Sequence, residues 1–319
     1  MAIEYVKASD GASLAVSVEG EGPAVLFVHG FPEGPASWDS QVAALSAAGY
    51  RTAVLHNRGY GLSDKPTELE PYSMLRLSTD VAEVAGALSD QETVLAGHDW
   101  GAVQVQTAAL IAPERVRALC TLSVATLAYA DFNFLDFWKT SYPDGFFYQT
   151  YFAQPDIPER ELGGRLDEFV RKFFFSLSGD RPGDDSLLVQ PPGTTDLLAS
   201  TIVPDPFPAW LSEREIADYV KAFEDGGLTG PINRYRAQVF DADGLRPYAD
   251  RMIDAPTIFI GGDRDPSREL APGMDTYLSP LDRASDPRGI YLLPGVGHWV
   301  QQEAPHTVNG ILHDFLAKL

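Results

Sequence analysis

Short apolar runs alternate with helix-period stretches along the first third of the chain, and this rhythm constrains the fold more than any other feature. Residues 24–29 (AVLFVH) form a continuous apolar run, as expected of a strand buried on both faces. Residues 37–48 carry Trp38, Val42 and Leu45 at helical spacing. Residues 51–56 (RTAVLH) predict a second buried strand, 73–88 a helix and 93–96 a third strand. A helix over 101–112 stops at Pro113, whose ring removes a donor and clashes with the preceding turn. Residues 116–124 predict a fourth strand. Strands alternating with helices predict a mostly parallel sheet with helices on both faces.

The rhythm breaks near Ala130. Residues 130–245 lack buried-strand runs and are rich in aromatics, helical stretches and loops with Pro and Gly. It returns at 256–260 (PTIFI) and 290–293 (IYLL), and a helical tail spans 307–319. The expected organisation is an α/β core made of residues 1–129 and 246–319, with a mainly helical cap of 130–245 inserted into it. At 45% hydrophobic residues, 319 residues suffice to bury a sizeable core.

Forty-five acidic residues against 24 basic ones leave a formal charge of −21. Such a surface repels nucleic acid and anionic membranes, so neither is an expected partner. Most of that charge reads as a solvated surface. Cys120 is the only cysteine, which excludes an intramolecular disulfide and a cysteine-based metal site. It lies in a buried-strand run and reads as a core thiol rather than a nucleophile. Residues 1–5 carry no basic region followed by an apolar run, and no apolar run approaches a membrane span. The expectation is a cytoplasmic protein. Nothing in the chain speaks to oligomeric state.

Gly97-His98-Asp99-Trp100-Gly101 follows a strand and opens a helix. This is the nucleophile-elbow pattern, with aspartate where serine usually stands. The flanking glycines suit a sharp turn that lifts the Asp99 side chain above the sheet edge. The Trp100 N–H then lies at a helix N-terminus, where developing negative charge is stabilised. The bland alternative is an ordinary turn with an aspartate cap. His29-Gly30-Phe31-Pro32-Glu33 ends the first buried strand, and the Phe31 N–H is the expected second oxyanion donor. Pro32 suits a tight turn and a cis bond. Asp265, after the strand at 256–260, is the expected acid, with Asp263 competing. His298 follows the last strand. The order Asp99, Asp265, His298 is nucleophile, acid, histidine.

These stretches, with Arg58-Gly59-Tyr60-Gly61-Leu62-Ser63-Asp64 and Gly297-His298-Trp299, resemble the α/β-hydrolase superfamily and specifically its soluble epoxide hydrolases. The resemblance covers nearly the whole chain and implies the α/β-hydrolase fold. It also implies two cap tyrosines that donate hydrogen bonds to an epoxide oxygen. Residues 146–152 (FFYQTYF) resemble the stretch carrying the first, mapping it to Tyr148 with Tyr151 as the alternate. Asn233-Arg234-Tyr235-Arg236 resembles the stretch carrying the second, mapping it to Tyr235. Arg234 stands where the family often has an aromatic residue, and His56 where an acidic residue is more usual.

The resemblance implies an enzyme that opens an epoxide to a vicinal diol through an ester on Asp99, hydrolysed by water that His298 and Asp265 activate. The expected partners are water and a small, neutral, hydrophobic epoxide; no metal or organic cofactor is expected. Phe31, Trp38, Trp100, Phe147, Phe152, Trp210 and Trp299 are candidate pocket walls, with core packing as the alternative for each. A haloalkane or haloacid dehalogenase would use the same triad, but needs N–H donors for halide, and a haloacid needs basic residues that the elbow lacks. Asp99 in the nucleophile position disfavours a serine-type esterase. A non-catalytic ligand-binding homologue need not keep all three triad groups.

Overall fold

The computed structural model describes residues 1–126, 133–183, 187–199 and 203–319. The strands are β1 (Ala2–Lys7), β2 (Ser13–Glu19), β3 (Ala24–Val28), β4 (Arg51–Leu55), β5 (Thr93–His98), β6 (Val116–Leu122), the two-residue β7 (Phe146–Phe147) and β8 (Val189–Gln190), β9 (Thr257–Gly262) and β10 (Pro287–Leu293). Among the described residues eight of them form one sheet in the order β1-β2-β4-β3-β5-β6-β9-β10. From β4 to β10 every pairing is parallel. β1 and β2 join antiparallel at one edge. This hairpin is absent from the sequence reading because it lacks a continuous apolar run: β1 is almost wholly exposed.

The helices α1 (Asp39–Ala47), α2 (Met74–Leu88) and α3 (Trp100–Ile111) connect the first parallel strands; α11 (Val300–Glu303) and α12 (Pro305–Leu316) close the chain. Adjacent strand residues point to opposite faces, so one sheet makes two cores. Leu26, Val28 and Leu95 pack with α2 and α3. Val25, Phe27 and Ala96 pack with α1 and α12. Both faces are covered, which is why the central strands read as unbroken apolar runs.

Between β6 and β9 lies a helical insertion: α4 (Phe134–Ser141), α5 (Tyr148–Phe152), α6 (Ile157–Leu162), α7 (Leu166–Leu177), α8 (Glu213–Gly226), α9 (Thr229–Arg236) and α10 (Asp241–Leu245). The boundary expected between residues 129 and 130 lies outside the described residues. The insertion has its own aromatic-rich core, and Phe31 and Trp299 of the sheet layer belong to it. Phe31 meets Phe152 and Phe173 edge-on at 5.0 and 5.7 Å. Such pairs contribute about 0.5–1.5 kcal/mol each beyond their burial. Among the described residues no helix is long and apolar enough to cross a membrane.

The turn from β5 into α3 is tightly packed. Asp99 has φ 51° and ψ −123°, a region that side chains other than glycine rarely occupy. A Cβ on Gly101 would fall 2.1 Å from the Val28 carbonyl oxygen, and one on Gly97 would fall 2.3 Å from that of Gly101. The glycines flanking Asp99 therefore answer backbone crowding. Gly101→Ala should cost about 1–3 kcal/mol through overpacking, read as a lower urea midpoint at unchanged slope.

Candidate active site

Asp99 projects from the strained turn with its side chain 19% exposed. Its Oδ1 accepts the Phe31 N–H at 2.9 Å. His298 Nε2 lies 3.5 Å from Oδ2. On the other side of the ring, His298 Nδ1 donates to Asp265 Oδ2 at 2.9 Å. Asp265 is fully enclosed, fixed by the Tyr277 hydroxyl at 2.6 Å and the Ser267 N–H at 2.8 Å. Asp263 is exposed and accepts the Gly295 N–H instead, so of the two acids it is Asp265 that meets His298. Trp100 begins α3 directly after Asp99, and the Phe31-Pro32 peptide is cis.

Two phenols lie near enough to this carboxylate for its charge to act on both. Tyr148 and Tyr235 are buried and their rings meet edge-on at 6.0 Å. Burial raises both pKa values, and the charge of Asp99 raises them further. The Tyr148 oxygen already accepts from Gln149 Nε2 at 2.9 Å, which leaves its O–H hydrogen to donate elsewhere. The Trp100 ring meets the Tyr235 ring edge-on at 5.5 Å. Tyr151 instead responds to Glu161 and Asp196 of the insertion.

A family model described as the alpha/beta hydrolase fold matches residues 23–267. Epoxide hydrolase A of Mycobacterium tuberculosis is 34% identical over 98% of this chain and 96% of its own length. Epoxide hydrolase 2 of Siraitia grosvenorii is 31% identical over 99% of both. The crystal structure of epoxide hydrolase A from Mycobacterium thermoresistibile superimposes with a TM-score of 0.89 at 34% identity, covering 99% of this chain and 98% of that one. An epoxide hydrolase from an endophytic Streptomyces gives 0.91 at 34% identity, covering 99% and 95%. The chain belongs to the epoxide hydrolases of the α/β-hydrolase fold.

The residues expected to line an epoxide hydrolase pocket divide by position. Phe31, Phe152 and Trp100 pack against Tyr235 at 5.2, 4.9 and 5.5 Å, and Trp299 packs on His298 at 4.9 Å. Trp38 does not join them. It is fully buried 4.8 Å from Phe27, in the layer between the sheet and α1, because its single 3₁₀ turn drops the indole beneath the sheet. Trp210 is partly buried against the aromatic core of the insertion, its indole donating to Asp180 at 3.0 Å beside Phe207. Phe147 stacks on Tyr142 at 4.6 Å and backs Tyr148 at 5.0 Å.

Arg234 also acquires a local account. It is buried, pairs with Asp241, donates to the Tyr72 carbonyl and lies 5.0 Å above the Trp100 ring. A cation thus covers the indole where an aromatic residue often stands. His56 bonds Ser17 at 2.9 Å, and burial lowers its pKa to about 4, so it is neutral. Cys120 is buried in β6, and burial pushes its thiol pKa up.

Sequence reasoning assigned no role to the acceptors behind the triad. Glu33 Oε2 accepts from the Gly30 N–H and meets His98 Nδ1, both at 2.7 Å; its Oε1 accepts from Gln301 at 2.7 Å. His98 Nε2 faces the His298 carbonyl oxygen at 2.8 Å, and Ser123 donates to that same oxygen at 2.6 Å. The placement of Glu33 after His29-Gly30-Phe31-Pro32 was the available signal. Tyr277 offered none, since it sits in an irregular segment. Among the described residues no cluster of three or more His, Cys, Asp or Glu side chains is placed to hold a metal ion.

Burial opposes every charge here, and pairing overrides it. His298 is pushed up to about 10 by Asp265 and Asp99 against that burial. Asp99 is held below the usual carboxylate value by His298 and the Phe31 N–H, again against burial. At neutral pH the site is an imidazolium between two carboxylates. The folded pKa of His298 exceeds its ordinary 6.5, so its contribution to stability is full below pH 6.5 and is lost as pH climbs through 10. Urea unfolding should therefore show the wild type losing more stability across this interval than His298→Gln.

Proposed function

We propose that this chain hydrolyses a small, neutral, hydrophobic epoxide to a vicinal diol through an alkyl ester on Asp99. The observation that carries the reading is two buried phenols in edge-on contact, both within the influence of one carboxylate, Asp99. An epoxide needs a nucleophile at carbon and a proton at oxygen, and this arrangement offers both. The names of the full-length relatives, at 34% and 31% identity, support the same substrate class.

Asp99 Oδ2, the oxygen not held by Phe31, attacks a ring carbon. The carbon–oxygen bond of the ring breaks, and its oxygen takes a proton from Tyr148 or Tyr235. Asp99 is now a neutral ester. That removes one of the two charges holding the proton on His298, so its pKa falls. The released proton restores the phenol, and the imidazole becomes neutral. Asp265 holds it through Nδ1, leaving Nε2 to take a proton from water. Water adds to the Asp99 carbonyl carbon, and the Phe31 and Trp100 amides receive the charge on Oδ1. Such donors contribute about 3–4 kcal/mol each. Collapse releases the diol and returns Asp99 anionic beside protonated His298. The sum is epoxide plus water to diol.

Asp99→Asn should abolish turnover of an epoxide panel once deamidation is excluded by mass spectrometry. His298→Gln should instead trap the ester, visible as substrate mass added to the intact protein; its absence would refute this division of labour. Tyr148→Phe and Tyr235→Phe should each slow ester formation by about a hundredfold in single-turnover kinetics, the lower end of general-acid contributions. Undiminished rates would return the phenols to a packing role.

A further inference from the structure

Glu303, the last residue of α11, takes no part in the reaction above, yet its carboxylate is wired to the catalytic loop. Its Oε2 accepts the Gly297 N–H at 2.9 Å and its Oε1 the Trp299 N–H at 3.0 Å. These amides flank His298 on both sides. Oε2 also accepts the Gly179 N–H at 2.8 Å, from the segment just past α7 in the helical insertion. One carboxylate thus gathers three amides, from the loop that carries the histidine and from the insertion above it. Burial pushes its pKa up to about 7, and the three amides hold it from rising further. Once ionised, it makes each of these bonds stronger than a neutral acceptor would.

The same two segments meet elsewhere. The His298 N–H donates to the Leu177 carbonyl and the Trp299 indole to the Phe174 carbonyl, both at 2.8 Å. Their backbones touch without side chains between them: a Cβ on Gly297 would fall 2.3 Å from the Gly179 nitrogen, and one on Gly179 would fall 2.0 Å from the Gly295 oxygen. The end of α7 and the His298 loop therefore behave as one seam, with Glu303 across it.

We propose that Glu303 is a positioning residue, which sets the His298 ring for its work on the ester and ties that setting to the seat of the helical insertion. The proposal rests on the reading of His298 as the base. Ester formation uses Asp99 and the phenols, whereas ester hydrolysis uses His298. Loosening the Glu303 bonds should separate the two steps, which a generally weakened fold would not do.

Glu303→Gln tests this. Its amide oxygen can still serve one corner, but its NH2 group then confronts an N–H donor at the other. In rapid-quench kinetics with a styrene-oxide-type epoxide, the ester burst should form within about threefold of the wild-type rate, while hydrolysis slows by about ten- to a hundredfold, as for a small misplacement of a catalytic group. The ester should accumulate on the intact protein, and kcat and KM should fall together. Burst amplitude counts competent sites, so a misfolded fraction does not enter the rate. Should Glu303→Gln be insoluble, Glu303→Asp keeps the charge with a shorter reach and should show the same split. Unchanged hydrolysis, or equal slowing of both steps, overturns the proposal. Wild type or His298→Gln forming no ester overturns the underlying function reading instead, so the two failures are distinguishable.

Discussion

A negative charge held out of water organises this molecule. Asp99 sits at the top of the sheet on a left-handed backbone, flanked by glycines that let strand and helix backbones close around it. Burial alone would neutralise such a carboxyl. The His298 ring and the Phe31 amide keep it ionised. Asp265, itself enclosed and fixed by Tyr277 and Ser267, then keeps His298 protonated beside it. Each group owes its protonation state to the next, so the proposed nucleophile and base are poised by charge balance rather than by their ordinary pKa values.

The second demand is geometric. The proposed triad comes from three different connections on the parallel part of one sheet: after β5, after β9 and after β10. Parallel strands all present their C-terminal ends to the same edge, which brings loops far apart in sequence into contact. The insertion then closes over that edge. It is attached by aromatic packing on Phe31 and by the backbone seam between the end of α7 and the loop around His298. The floor of the site and its lid are therefore one packed unit.

Chemistry of the lid distinguishes what the triad leaves open. An aspartate with a histidine and an acid suits any reaction that makes and hydrolyses an alkyl ester. In the proposed reading Tyr148 and Tyr235 narrow it, because burial keeps both phenols protonated and Gln149 occupies the Tyr148 oxygen. Arg234 is a local variation on that lid: its charge is spent on Asp241 and its plane on Trp100, so it supports the indole that packs edge-on against Tyr235.

The sequence by itself determined the parallel sheet, the helical interruption, and Asp99 and His298 as candidate nucleophile and base. These were legible because buried strands show as unbroken apolar runs and because a tight strand-to-helix turn demands glycines around its tip. The preference of Asp265 over Asp263 was open in the sequence and needed the fold, since two acids two residues apart differ only in which one the strand end buries. Trp38 was misplaced for the same reason: an aromatic residue looks alike in a pocket or under a sheet, until packing assigns its face. The roles of Glu33, His98, Tyr277 and Glu303 were likewise decided only in three dimensions. Their partners lie in other segments of the chain, and no local pattern records a hydrogen bond between loops that only the closed sheet edge brings together.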